Sequence, residues 1–145
     1  MRSYVGLPYK HLGRDRKGVD CYGLIILIYK EKFGIELPNA EGYEFGEDAC
    51  NYLPAFYKEG QYKHVADFHK LWTPVEQVEK YDVILFNVYG EVEAPTHSGL
   101  YLGEGKFIHC MHKLPVTINR LEKHWLNMQH SIYRFKERLD IDGST

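Results

Sequence analysis

The chain has 145 residues, of which 44% are hydrophobic and 26% are charged, proportions that are ordinary for a globular protein. The formal net charge of -2 and a pI near 6.4 argue against nucleic-acid binding and against attraction to an anionic membrane. The three cysteines are irregularly spaced and form no C-x-x-C pair, which argues against a disulfide framework and against a zinc knuckle.

The first predicted helix follows an irregular polar loop that includes Gly13 to Gly18. Asp20 is the predicted N-cap, because an Asp side chain can accept a hydrogen bond from the first free N–H groups of a helix. Gly34 is the predicted C-terminal end. Between these two ends, apolar residues recur at helical spacing and predict one buried face, formed by Cys21, Leu24, Ile25 and Ile28.

Downstream, the pattern predicts helices followed by an antiparallel sheet. The middle, Glu47 to Gln77, is predicted to be helical or irregular, with a helix from Asp48 to Glu59 and aromatic residues that pack on the core or line a groove. A short helix is predicted near Leu121 to Leu126. Helices first and strands second indicate an α+β fold. The predicted strands are Asp82 to Val88, His97 to Gly103, Lys106 to Cys110, Val116 to Asn119 and Ser131 to Lys136.

Cys21 is the candidate nucleophile because it is the first residue of the predicted helix. Free backbone N–H groups and the positive end of the helix dipole stabilise a thiolate there, and they can donate to the oxyanion of a tetrahedral intermediate. The flanking Asp20 and Gly23 favour this interpretation, since Gly23 would leave space beside the sulfur for a substrate backbone. The alternative is that Cys21 is a small buried hydrophobic residue.

His97 and His109 are the candidate general base and its partner. A three-residue turn at Gly103 to Gly105 would pair Leu102 with Lys106 and therefore Gly99 with His109. The two histidines would then share a face as diagonal neighbours, about 7–8 Å apart by backbone. A two-residue turn would place them on opposite faces.

A zinc site is the alternative to this assignment. His97, His109 and His112 would together form a zinc site, but His112 has the wrong parity for that face and no Asp or Glu accompanies the three. No metal or other cofactor is therefore expected.

Tyr9 lies in a loop that could fold back over Cys21. Its phenol would there donate to an oxyanion or hold a substrate carboxylate, and packing is the alternative role.

Taken together, these segments resemble the NlpC/p60 family of cell-wall cysteine peptidases. Tyr22 stands where the family usually has Ser. With the segment Arg16 to Cys21, this departure makes the chain most similar to the branch encoded with phage tail-assembly genes. The matching segments are Gly6 to Tyr9, Asp20 to Leu24, Gly34 to Pro38, Tyr81-Asp82, His97 to Gly103 and Phe107 to Cys110.

The resemblance implies a papain-like α+β fold and a Cys–His–His triad. Cys21 would be the nucleophile, His97 the general base and then acid, and His109 the group that orients His97. Tyr9 would lie near the oxyanion, and Asp20 is placed with it as an oxyanion- or substrate-binding residue. The implied substrate is a peptidoglycan stem peptide, cut at the γ-D-glutamyl–diaminopimelate (or lysine) bond.

The family also contains amidases, acyltransferases and inactive scaffolds, so the fold does not decide the reaction. The alternative function is that of a structural phage tail-assembly protein that uses the same fold for binding. The expected partners are the stem peptide and phage tail-tip proteins.

The chain shows no basic-then-apolar leader and no run of about 20 apolar residues. It is therefore expected to be synthesised in the bacterial cytoplasm as a single domain, residues 1–145, to lack membrane insertion, and to be incorporated into a phage tail.

Overall fold

The computed structural model describes residues 1–37, 71–88 and 97–137. The predicted helix Asp48 to Glu59 lies outside these residues, as do Cys50 and all of the middle aromatic residues except Trp72. The described part contains one helix at the N-terminal side of the chain and a sheet built from the residues that follow Leu71.

The predicted N-terminal helix is present as α1, Cys21–Ile28, and both predicted ends are confirmed. Asp20 caps it by accepting a hydrogen bond from Gly23 N, and a wider π-helical turn, Tyr29–Phe33, continues it. Gly34 ends the turn with φ 67°, a left-handed conformation that glycine adopts without steric cost. All eight residues of α1 are buried, so burial extends beyond the one predicted face. Among the described residues, no helix is long and apolar enough to cross a membrane.

The sheet behind this helix has six antiparallel strands in the described residues, which lie in the order Trp72–Val75, Gln129–Phe135, Val83–Phe86, His97–Gly103, Lys106–His109 and Thr117–Arg120. Every strand predicted from Asp82 onward is confirmed, with ends that shift by a few residues. The short helix α2, His124–Met128, lies slightly later than predicted. The observed strands of the sheet are β3 Trp72–Val75, β4 Val83–Phe86, β5 His97–Gly103, β6 Lys106–His109, β7 Thr117–Arg120 and β8 Gln129–Phe135.

Two parts of the fold differ from the sequence prediction. Strand β3 lies in the segment predicted to be helical or irregular, and Pro74 is tolerated in it because β3 is an edge strand. The predicted irregular loop before α1 contains a two-stranded hairpin, β1 Arg14–Asp15 with β2 Gly18–Val19. Trp72 of β3 is buried and packs against the ring of Tyr29, with ring centroids 5.5 Å apart.

The two faces of the sheet carry different cores. Directly paired residues share a face, so Leu85, Leu100 and Ile108 lie on the face that packs against α1. The other face carries a second cluster in which Trp125 of α2 packs on buried aromatic and aliphatic side chains, those of Ile84, Phe86 and Phe107. The pairings Phe86 with His97 and Gly99 with His109 place both histidines on this second face.

Candidate active site

The hairpin between β5 and β6 brings the two histidines together, by a turn that differs from the predicted one. Gly103 pairs with Lys106, so the turn has two residues, Glu104 and Gly105, both with positive φ. The predicted pairing of Leu102 with Lys106 is wrong. The register shifts between Tyr101 and Gly103, and this irregularity restores the alternation that a two-residue turn would have reversed.

The predicted pairing of Gly99 with His109 is therefore confirmed, and it places the two imidazoles in contact. His97 Nε2 and His109 Nδ1 are joined by a hydrogen bond of 2.8 Å. A Cβ on Gly99 would lie 2.8 Å from Phe107 Cδ2 and 3.5 Å from His109 Cβ, so only glycine fits at this position without displacing its neighbours. Gly99 thus allows the close packing that the pair requires.

A third residue, Asn119 on β7, extends the pair into a chain of hydrogen bonds. His109 Nε2 lies 2.7 Å from Asn119 Oδ1. Asn119 ends a predicted strand but was not among the predicted site residues. The signal that identifies it is the register of β6 and β7, in which Asn119 pairs with Phe107 and so lies diagonally from His109 on the same face.

The histidine pair is enclosed by aromatic rings and is almost inaccessible. His97 is 3% exposed and His109 is 1% exposed. Trp125 stands edge-on to His109 with ring centroids 4.9 Å apart, and Phe107 and Phe86 lie against the two imidazoles. Asn119 and Trp125 also line a surface cavity of about 310 Å³, so the outer end of the chain of hydrogen bonds borders open space.

Burial keeps both histidines neutral. Desolvation lowers the pKa of His97 well below its ordinary value, and the nearby His109 lowers it further. Desolvation also lowers the pKa of His109, while its hydrogen bond to Asn119 acts in the opposite direction. A neutral imidazole has one nitrogen free to accept a proton, which is the requirement for a general base.

Near Cys21, Asp20 fixes the start of α1 through several hydrogen bonds to its carboxylate. Its Oδ1 accepts from Gly23 N at 2.7 Å and from Arg14 Nη1 at 2.9 Å, and its Oδ2 accepts from Leu12 N at 2.9 Å. The residue is fully buried. The structure therefore gives Asp20 a role in holding the loop before Cys21, and its assignment to an oxyanion or substrate stays a prediction.

The predicted space beside Gly23 is also absent. A Cβ on Gly23 would clash with the carbonyl oxygen of Gly13 and would lie 2.6 Å from Arg14 Nη1. The chain's own loop thus occupies the position that the sequence analysis left for a substrate backbone. Glycine is required at this position because the loop of β1 packs directly on the first turn of α1.

Tyr9 lies in a segment that pairs with Val19, two residues before Cys21. Val19 N donates to Pro8 O at 3.0 Å, and Lys10 N donates to Val19 O at 2.9 Å. The ring of Tyr9 stands edge-on to His112, with centroids 5.0 Å apart. The assignment of Tyr9 to the oxyanion stays a prediction.

The zinc alternative has no matching geometry in the described ranges. Both ring nitrogens of His109 are engaged, one by His97 and one by Asn119. His112 instead contacts Tyr9. Within residues 1–37, 71–88 and 97–137, no three His, Cys, Asp or Glu side chains are grouped so that they could hold a metal ion.

The two described cysteines are both fully buried but differ in their surroundings. Cys110 donates to Val19 O at 3.4 Å and to Leu114 O at 3.3 Å. Burial raises the pKa of Cys110 to about 12, and the nearby Cys21 and Asp20 raise it further. Cys21 begins α1, and no hydrogen bond of the described residues joins its sulfur to His97. The described contacts therefore join His97 to His109 but join neither histidine to Cys21, which packs in the other core cluster.

The described architecture matches known proteins along most of the chain. A family model described as the NlpC/P60 family matches residues 6–134. The chain is 29% identical over 138 residues to the gamma-DL-glutamyl hydrolase of Bacillus subtilis strain 168, covering 92% of this chain and 27% of that protein. It is 24% identical over 139 residues to the Escherichia coli K12 protein named murein DD-endopeptidase MepS/murein LD-carboxypeptidase, covering 94% of this chain and 60% of that protein.

Solved structures show the same fold. An NlpC/P60 family protein from Bacillus cereus superposes with a TM-score of 0.64 at 22% identity, covering 92% of this chain and 37% of the other. The NlpC/p60 domain of the peptidoglycan hydrolase SagA gives a TM-score of 0.57 at 18% identity and 92% coverage of both chains. These likenesses confirm the predicted α+β, papain-like fold. The chain spans 27% and 60% of the lengths of the two curated relatives above.

Proposed function

Because the chain belongs to the NlpC/P60 family, we propose that it is a cysteine peptidase that hydrolyses peptidoglycan stem peptides. The observation that supports this most strongly is the 2.8 Å hydrogen bond between His97 Nε2 and His109 Nδ1. A histidine that must activate a thiol needs a second polar group to hold its ring, and this bond provides one. The proposed triad is Cys21, His97 and His109.

The proposed reaction has two steps. His97 Nε2 is engaged by His109, so Nδ1 is the nitrogen that takes the proton from Cys21. The sulfur attacks the scissile carbonyl carbon, and His97 then delivers the proton to the leaving amine, which leaves an acyl group on the sulfur. Water, deprotonated by His97, hydrolyses this thioester and restores the thiol.

The oxyanion of each tetrahedral intermediate needs donors at the start of α1. Gly23 N donates to Asp20, which leaves the backbone N–H of Cys21 as the proposed donor. We propose the Tyr9 hydroxyl as a second donor, because residues 8–10 pair with Val19 two positions before the nucleophile.

We propose that the bond cut is the one between γ-D-glutamyl and diaminopimelate (or lysine). The support is that a relative matched over 92% of this chain is named as a gamma-DL-glutamyl hydrolase. The Escherichia coli relative is named for other bonds, so the family resemblance alone does not select one.

We also propose that the protein acts from a phage tail, where local wall cleavage would assist entry. The support for this is Tyr22 after the nucleophile and the segment Arg16 to Cys21, which resemble the branch encoded with tail-assembly genes.

The direct test is digestion of purified sacculi of the diaminopimelate and lysine types. The released peptides are identified by mass spectrometry, with Cys21→Ala as the control. We expect soluble peptides that begin with diaminopimelate or lysine from the active protein and none from Cys21→Ala. Release by both proteins, or binding to sacculi with no release by either, would contradict the proposed activity.

A further inference from the structure

We infer that Asn119 is a positioning residue that sets the proton positions on both histidines, so that His97 presents an unprotonated Nδ1 to Cys21. The inference rests on the proposed function, because it assigns Asn119 a role in that same reaction. The geometry that carries it is the continuous chain from His97 Nε2 to His109 Nδ1 and from His109 Nε2 to Asn119 Oδ1.

The direction of each hydrogen bond follows from the last acceptor in the chain. An amide oxygen accepts and never donates, so His109 Nε2 carries the proton that it shares with Asn119 Oδ1. A neutral imidazole has one N–H, and His109 Nδ1 is therefore an acceptor. His97 Nε2 must then donate to it, which leaves the lone pair of His97 on Nδ1.

The reverse orientation of the amide would disable the base. If Asn119 Nδ2 faced His109, His109 Nε2 would accept and its Nδ1 would donate to His97 Nε2. His97 would then carry its proton on Nδ1, where it could not take the thiol proton. The orientation of the Asn119 amide therefore decides whether Nδ1 of His97 can accept the thiol proton.

Burial makes this control effective. His97 and His109 are 3% and 1% exposed, so neither ring can exchange its partner for solvent without the site opening. Phe107 holds His109 with ring centroids 4.6 Å apart, and Asn119 pairs with Phe107 across β6 and β7. The register of β6 and β7 thus fixes both the ring of His109 and its acceptor, Asn119.

The first test is nitrogen-15 NMR of the histidine rings in the uncomplexed protein, which needs no substrate. We expect the protons of His97 and His109 on Nε2 in the wild type. Asn119→Leu removes the acceptor at similar volume and should give a mixture of proton positions on His109. Asn127→Leu, the same change at an exposed position of α2, is the matched control and should leave both rings unchanged.

The second test is turnover of a γ-D-glutamyl-diaminopimelate peptide by the same variants. Asn119→Leu should lower kcat about 10- to 100-fold, the loss typical of an outer hydrogen-bond partner, with KM nearly unchanged. Asn119→Gln should recover part of the loss, because it keeps the amide and the adjoining cavity offers room for a longer side chain.

A proton on His97 Nδ1 in the wild type would overturn the inference. So would an Asn119→Leu variant with unchanged rings and unchanged kcat. Failure of the proposed function is distinguishable from these outcomes. If neither the wild type nor any variant cleaves the peptide but Asn119→Leu still changes the ring protons, the role of Asn119 in the proton arrangement is supported and the proposed peptidase activity is refuted.

Discussion

The two halves of the candidate site are held in place by different means. On the sheet, His97, His109 and Asn119 form a continuous chain of hydrogen bonds between three adjacent strands. At the start of α1, Cys21 follows a buried aspartate cap that accepts from Leu12, Arg14 and Gly23, all within nine residues of it in sequence. The first arrangement depends on strand register, and the second depends on a local loop.

The two arrangements also differ in charge. Burial lowers the pKa of both histidines, so the pair on the sheet is neutral at pH 7. The carboxylate of Asp20 accepts hydrogen bonds from the backbone of Gly23 and Leu12 and from the guanidinium of Arg14. Changes in the histidine chain should therefore alter turnover with little effect on folding, whereas changes at Asp20 should alter stability first.

The largest expected effect is that of His97→Ala on turnover. Removing this imidazole loses thiol activation and proton delivery to the leaving amine, each worth about 10²- to 10⁴-fold. His109→Gln should cost less, because the amide can still accept the Nε2 proton of His97. The measurement is peptide turnover at a folded fraction matched by circular dichroism. Equal losses in the two variants would refute the assigned roles.

A second large effect should appear in stability at the nucleophile end. Asp20→Ala removes the acceptor of Gly23 N and Leu12 N and the ion pair with Arg14, and we expect a loss of roughly 3 kcal/mol in the free energy of unfolding, as for one partner of a buried ion pair. Asp15→Ala is the matched control, since Asp15 is exposed and, within the part of the chain that the structure describes, accepts from Lys17 N at 2.8 Å; its loss should stay below about 1 kcal/mol. Urea unfolding measures both. Comparable losses would show that the cap is not the anchor of this loop.

A smaller effect should appear in the pH dependence of the free energy of unfolding. The pKa of His97 is lower in the folded protein than the ordinary 6.5, so its contribution to stability is present above pH 6.5 and is lost as pH falls through the folded value. The free energy of unfolding should decline on acidification below pH 6.5. His97→Gln should flatten that decline, and His130→Gln, at a less buried histidine whose pKa is also lowered by burial, should flatten it less. An unchanged slope in His97→Gln would contradict the burial of a neutral imidazole.

The sequence predicted the parts of the site that depend on local pattern. The cap at Asp20, the end at Gly34 and the pairing of Gly99 with His109 were all accessible from spacing and residue type. The irregularity after Tyr101 was not, because the same alternation results from a longer turn or from a shorter turn with an extra residue. The correct pairing was thus reached through an incorrect turn.

Other features depend on contacts between segments that are distant in sequence. Asn119 becomes part of the site only through the register of β6 and β7, and Gly23 is packed by a loop ten residues earlier. Trp72 was placed in a helical or irregular segment because an edge strand with Pro74 has a weak pattern. Tyr81 has φ 72°, a left-handed conformation that is uncommon outside glycine, and its residue type alone would not predict it.

The most direct test of the account is the rate of Cys21 alkylation at pH 7 with and without His97. Replacing Cys50 and Cys110 by Ala leaves Cys21 as the only thiol of the three in the chain. Because the thiolate is the species that alkylates, adding His97→Ala should slow iodoacetamide labelling of Cys21 about tenfold or more, and adding His124→Ala, an exposed histidine, should not. Labelling of Cys21 at the same rate in all three proteins would show that His97 does not activate the sulfur, and the catalytic assignment would fail.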